Sequence, residues 1–202
     1  MRWAGAFSTA RAWRFAVGPA SARTLGLAGT TLPRFVAFLR GVSPTNAKMP
    51  ELKRCFEHAG FANVRTVLSS GNVVFDSRSG SEASLEHKIE SAMLECFGHS
   101  FYTIVRPSNS LRKLLETDPY ARHGVDPAAK RIVSFLRNSG EPKLTLPLSA
   151  DGARVLEVVG REVFTAYVPS EKGPVFMKLI ERAFGAEVTT RTWETVKKCV
   201  AA

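Results

Sequence analysis

Three short stretches carry residue types that can contact a ligand. The first runs Arg40-Gly41-Val42-Ser43-Pro44-Thr45-Asn46-Ala47-Lys48 and sets two cations, an amide and two hydroxyls between two apolar segments. It leads into a helix start, where unpaired backbone N–H groups and the helix dipole favour an anion. Arg40 would add a fixed positive charge and Lys48 a mobile one. With neither GxxxxGK[ST] nor GxGxxG present, the stretch reads as an anion site without a nucleotide fingerprint, or as an ordinary loop with Lys48 in solvent. The second stretch is Ser69-Ser70-Gly71-Asn72, in which Gly and Asn tolerate positive φ; it makes a hairpin turn, or offers Ser70 and Asn72 to a ligand. The third is Thr189–Thr195, where Thr190, Arg191 and Trp193 would line a cleft. It also has a plain structural reading: Thr192 caps a last helix, Glu194 sits in its first turn, and Trp193, Val196 and Val200 form its apolar stripe.

Reactive groups are otherwise sparse. His58, His87, His99 and His123 show no HxH or HxxxH spacing, so neither a metal nor a cofactor is expected. No GxSxG stands in the chain. Asp76, Asp151 and Glu162 fall at strand ends or loops, with nothing that pairs them as acid and base. No catalytic residue is assigned, and the balance leans away from an enzyme. Cys55, Cys96 and Cys199 form no CxxC pair and fall at apolar helix positions, the pattern of reduced core thiols in a cytoplasmic protein. Phe75, Phe101 and Tyr102 could stack on bases from a sheet, but without a Lys/Arg-Gly-Phe run they read as core.

Net charge is +10, from 28 basic and 18 acidic residues. Residues 1–33 hold four arginines, Arg2, Arg11, Arg14 and Arg23, with no Asp, Glu or Lys; the remainder has 24 basic against 18 acidic residues, a net +6. That surface suits an anionic small molecule or nucleic acid as partner, and no apolar run reaches the roughly 18–20 residues of a membrane span. The segment 1–33 reads as a disordered leader, either transit-like or an over-extended start. Self-association is left open.

The elements that would position these residues follow from periodicity. Arg34–Arg40 is a strand-length apolar run. Met49, Leu52, Phe56 and Ala59 recur at helical spacing and stop at Gly60. Asn63–Ser69 and Val73–Asp76 read as a hairpin. Ser81 caps a helix striped by Leu85, Ile89, Met93 and Cys96, and Ser100–Arg106 is a strand ended by Pro107. The order β-α-β-β-α-β is the ferredoxin-like arrangement. A connector, 108–130, starts with a helix over Ser108–Thr117. The pattern then repeats: RIVSFLR at Arg131–Arg137 echoes RFVAFLR at Arg34–Arg40, and Gly160–Phe164 echoes Gly71–Phe75. Phe184-Gly185 echoes Phe97-Gly98, and Thr190 echoes Thr103. The offsets are 97, 89, 87 and 87 residues. The first helix is missing from the repeat, since Gly140, Pro142 and Pro147 make 138–150 irregular. The expected fold is therefore α+β, two ferredoxin-like halves at 34–107 and 131–202 related by internal duplication.

Leu39-Arg40-Gly41-Val42, Ala59-Gly60-Phe61, Val64-Arg65-Thr66, the run Ser69–Phe75 and the closing Val188–Val196 together resemble the bacterial, uncharacterised family known as domain of unknown function 1697 (DUF1697). The resemblance covers essentially 34–202. It implies an α+β fold with ferredoxin-like halves and no established activity. Members start close to the first strand, which implies that 1–33 is an extended start. Many members have Gly-Gly-Lys after the "LRG" motif, where this chain has Ser43–Lys48, and Thr192 replaces an Asn of the closing motif. The reading that results is a non-catalytic binding module for an anionic ligand or nucleic acid. The alternatives are an enzyme acting on a small phosphorylated or nucleotide-like substrate between the halves, and an oligomeric assembly protein.

Overall fold

Strand β1 (Arg34–Leu39) is buried on both faces, so something must cover each side. In the computed structural model, which describes residues 32–78, 80–139, 142, 145–171 and 173–202, helices cover one side and a second sheet the other. All but the last two residues of the expected leader lie outside the described residues.

The first sheet contains β1, β2 (Ala62–Val67), β3 (Asn72–Asp76) and β4 (Thr103–Pro107) in the order β2-β3-β1-β4, every pair antiparallel. Helix α1 (Met49–His58) joins β1 to β2, and α2 (Glu82–Phe97) joins β3 to β4. Both lie on the sheet's outer face. Leu52, Cys55 and Phe56 of α1 and Leu85, Ile89 and Met93 of α2 pack there against Phe35, Ala37, Leu39, Val73, Phe75 and Val105. Burying each large apolar side chain contributes about 1.5–3 kcal/mol, which fixes the helices to the sheet. Local chemistry sets the ends of α2: Ser81 Oγ accepts the Ser84 N–H at 3.2 Å, and Gly98 at φ 71° closes the helix on the Leu94 carbonyl.

The second sheet contains β5 (Lys130–Leu136), β6 (Leu148–Ala150), β7 (Ala153–Val159), β8 (Glu162–Tyr167) and β9 (Val188–Thr192) in the order β6-β7-β8-β5-β9, also antiparallel throughout. The stretch 138–150, expected to be irregular, ends in the short edge strand β6. Helix α4 (Phe176–Phe184) covers the outer face through Phe176, Leu179 and Ile180.

The inner faces meet. Val36, Phe38, Val74 and Ile104 of the first sheet pack with Val133, Phe135, Leu156 and Phe164 of the second, and the Phe38 and Phe135 rings stack at 4.2 Å. Helices α3 (Ser108–Thr117) and α5 (Trp193–Ala201) close the sides of this layer. The α3 bounds match those read from the sequence. Thr192 caps α5 by accepting the Thr195 N–H at 3.2 Å. The architecture is mixed α/β, with two antiparallel sheets and five α-helices among the described residues.

One cysteine departs from expectation. Cys55 and Cys199 are buried, but Cys96, in the last turn of α2 just before the Gly98 cap, is exposed.

Candidate functional site

Register decides which side chains enter the layer between the sheets. Arg106 of β4 stands opposite Val36 of β1, and Arg191 of β9 stands opposite Val133 of β5. Directly opposed residues share a face, so both arginines point inward, each towards the other sheet. Arg191 crosses to the first sheet. Its Nη2 donates to the carbonyls of Leu39 (2.7 Å), Ser70 (3.0 Å) and Gly71 (3.2 Å), and its Nη1 to the Thr190 carbonyl (2.7 Å) and Thr189 Oγ1 (2.9 Å). Its Nε donates to Asn72 Oδ1, and its guanidinium carbon lies 5.6 Å from the centre of the Phe38 ring.

Arg106 repeats the pattern in the opposite direction. It donates to the Leu136 and Val105 carbonyls and lies 5.9 Å from the Phe135 ring, and its Nε donates to Glu162 Oε1 at 2.6 Å. The register explains that match: Asn72 faces Phe38 as Glu162 faces Phe135. Two sequence echoes need correction. The hairpin offset of 89 pairs Asn72 with Arg161, whereas the strand register pairs it with Glu162. The register likewise sets Thr103 against Leu39 as it sets Val188, not Thr190, against Leu136.

The two arginines differ in charge compensation. Arg106 also holds Glu82 at 3.0 Å, and around it Arg161 meets Glu82 while Arg137 meets Glu86 (3.3 Å) and Glu90. Glu82, Arg106, Arg137, Arg161 and Glu162 border a cleft of about 580 Å³, and each is ion-paired. Glu86 is only 2% exposed, and burial pushes its carboxyl above the ordinary value of 4.5, against the opposing pull of the Val105 N–H and of Arg137. Arg191 has no carboxylate partner among the described residues: every acceptor it meets is neutral. Burial lowers its pKa to about 10, which still leaves it charged at neutral pH.

Beside Arg191 lies a smaller cleft of about 210 Å³, lined by Leu39, Arg40, Gly41, Val42, Ser70, Met177, Val188, Thr189, Thr190 and Arg191. Five of the sequence candidates, Arg40, Gly41, Ser70, Thr190 and Arg191, meet there. Arg40 is the accessible cation, 39% exposed and 3.7 Å from Glu181 of α4. Thr190 Oγ1 donates to Met177 Sδ at 3.5 Å. Gly71 lets the β2–β3 turn approach: it has φ 73°, and a Cβ there would come within 2.8 Å of Val42 Cβ.

The other candidates lie elsewhere. Ser43 and Asn46 are tied into their own turn, the Asn46 amide bridging the Ser43 N–H and the Gly41 carbonyl at 2.8 Å each. Lys48 extends into solvent beside Glu51. The α1 start makes a poor anion site: Pro50 has no N–H, Glu51 adds a carboxylate, and the Glu51 and Leu52 N–H groups already bond the Lys48 carbonyl. Asn72 is buried and serves Arg191, Val67 and Ser70. Trp193 is not in this cleft. Its ring sits in the inter-sheet core, edge-on to Tyr120 and Phe164, and borders a separate hollow with Lys130 and Arg131. Among the described residues no group of three His, Cys, Asp or Glu side chains is placed to hold a metal, and no helix is long and apolar enough to cross a membrane.

Sequence reading missed Arg106, Arg137 and Arg161 with Glu82, Glu86 and Glu90, and weighed Glu162 only as a carboxylate without an acid–base partner. One signal was available: Arg137 closes RIVSFLR as Arg40 closes RFVAFLR.

Fold and clefts together define a two-sheet α/β protein whose sheets exchange inward-pointing arginines, Arg106 buried and Arg191 half-buried. The chain belongs to the family described as "Protein of unknown function (DUF1697)", whose model matches residues 32–164. Among solved structures it is similar to the conserved bacterial protein SP0830 from Streptococcus pneumoniae, at 20% identity and a TM-score of 0.63, over 84% of this chain and 97% of that one. No curated protein matches it.

Proposed function

We propose that the chain is a non-catalytic module that binds an anionic small molecule in the cleft between β1, the β2–β3 turn and β9. The observation that carries this reading is the uncompensated charge of Arg191, set against Arg106, which meets two glutamates in the matching position. A half-buried charge without a counterion is costly, and an anion in the adjoining cleft offsets that cost. The Arg191 donors are all engaged, so Arg40 makes the direct contact, with the Ser70 hydroxyl as a further donor and Thr190 on the cleft wall. The cleft lining contains no carboxylate, imidazole or thiol, which speaks against acid–base or covalent chemistry there. The volume, about 210 Å³, suits a phosphate- or carboxylate-bearing ligand better than a polymer.

We further read the two sheets as ferredoxin-like halves related by internal duplication. In support, β7-β8-β5-β9 repeats the order and directions of β2-β3-β1-β4, with β6 before β7 where α1 precedes β2.

The test is a thermal-shift titration of the full chain with inorganic phosphate against chloride at equal ionic strength, with labelled DNA and RNA anisotropy alongside. Phosphate is expected to raise the melting temperature of wild type and not of Arg40→Ala. A ligand at a hundred times its Kd stabilises by about 2.7 kcal/mol. Asn72→Asp, which hands Arg191 a carboxylate, is expected to remove the response. Equal shifts in wild type and both variants would overturn the reading, and salt-sensitive oligonucleotide binding lost in Arg40→Ala would replace it with a nucleic-acid surface.

A further inference from the structure

Helices α1 and α2 lie side by side on the outer face of the first sheet, and each carries a cysteine. Cys55 is 2% exposed and belongs to the core beneath the helices, whereas Cys96 is exposed. Cys96 neighbours Cys55 closely enough to act on its thiol. Helix geometry supports the contact independently. Each helix returns antiparallel to the strand before it, and β1 and β3 are antiparallel, so α1 and α2 run in opposite directions. At the far end of α1, Lys88 of α2 places its Nζ 4.8 Å from the Phe61 ring centre, and a Cβ on Gly60 would lie 3.9 Å from that Nζ. Moving back from Gly60 to Cys55 covers about 7.5 Å, and moving on from Lys88 to Cys96 about 12 Å, at about 1.5 Å per residue. The long lysine side chain spans the difference.

We propose that Cys55 and Cys96 are a redox site, forming a reversible disulfide that staples α1 to α2 when the protein meets a peroxide. The proposal stands apart from the anion reading. The two thiols have separate roles. Cys96, after losing its proton to solvent, attacks one peroxide oxygen and displaces hydroxide, becoming a sulfenic acid. The Cys55 sulfur then attacks the Cys96 sulfur, and its proton leaves with the departing hydroxyl as water. In sum, two thiols and one hydrogen peroxide give one disulfide and two waters. Burial, reinforced by the Cys96 thiol and then by Glu95, pushes the Cys55 thiol up to about 12, so Cys55 stays protonated and leaves the first attack to Cys96. Cys199, fully buried between the sheets, has no such neighbour and serves as an internal control.

The test is treatment of the full-length chain with hydrogen peroxide, followed by denaturation, thiol alkylation and peptide mass spectrometry. The expected result is loss of two alkylatable thiols, a Cys55–Cys96 cross-linked peptide two hydrogens lighter, and full recovery with dithiothreitol. Cys199 remains alkylatable. In Cys55→Ser, dimedone is expected to trap a sulfenic acid at Cys96. Should that buried substitution unfold the chain, Cys96→Ser, at an exposed position, decides the matter alone: Cys55 must then survive the same dose of peroxide. Over-oxidation of Cys96 in wild type with Cys55 still free, a bridge between two chains only, or oxidation of Cys55 at an unchanged rate in Cys96→Ser would each overturn the proposal.

Discussion

At the scale of single residues, the two cleft arginines have different jobs and should respond differently to deletion. Arg191 satisfies carbonyls of β1 and of the β2–β3 turn, so Arg191→Ala leaves several acceptors without partners. The expected loss is about 2–4 kcal/mol in a denaturant titration, at about 1–3 kcal/mol per orphaned buried group. Arg191→Lys recovers little of it, because an ammonium cannot reach carbonyls in a fork. Arg40 has a partly exposed side chain and makes one long ion pair, so Arg40→Ala should shift stability by no more than about 1 kcal/mol. Glu86 offers a test by pH. Its carboxyl sits above the ordinary 4.5 in the fold, so the folded chain binds that proton more readily than the unfolded one. Its contribution is therefore complete below 4.5 and declines as pH rises through the folded value. Glu86→Gln can keep an oxygen for the Val105 N–H and cannot ionise. Denaturant midpoints should show wild type ahead of this variant by most at acidic pH, with the gap narrowing towards neutrality.

At the scale of elements, the sequence was most legible where local chemistry decides the structure. The Ser81 and Thr192 caps were readable because a hydroxyl before an amphipathic run has one low-energy use, and the α3 bounds because Pro107 ends the strand ahead of an apolar stripe at Leu111 and Leu114. Thr192→Ala should accordingly cost about 1 kcal/mol in chemical unfolding, with α5 the first element to lose amide protection. The edge strand β6 was hidden, since three residues after Pro147 give no periodicity and pair only through β7. The cleft was legible in part. Arg40, Ser70, Thr190 and Arg191 stood out as polar groups at the ends of apolar runs. What could not be read was which of them are engaged by backbone, a matter of register: Arg191 meets Asn72 only because β9 sits against β5 as it does. Trp193 misled for a related reason, since an aromatic beside a polar motif looks the same whether its ring faces a cleft or the core.

At the scale of the whole molecule, the two sheets are fastened by reciprocal arginines, one compensated by carboxylates and the other not. Arg106→Ala should be more damaging than Arg191→Ala, at about 3–5 kcal/mol, because it takes the cation from Glu162, leaves Glu82 to Arg161 alone and strands the Leu136 carbonyl. Circular dichroism melts of the two variants at one pH would rank them. The crossed arrangement also has a bearing on how the protein opens. Each fastening side chain belongs to one sheet and several of its acceptors to the other, so neither sheet can peel away without stripping bonds from both. Breathing motions of the interior should therefore be concerted: amide hydrogens of β1 and β5 are expected to exchange with deuterium at one common, slowest rate, as a single unit of unfolding rather than two.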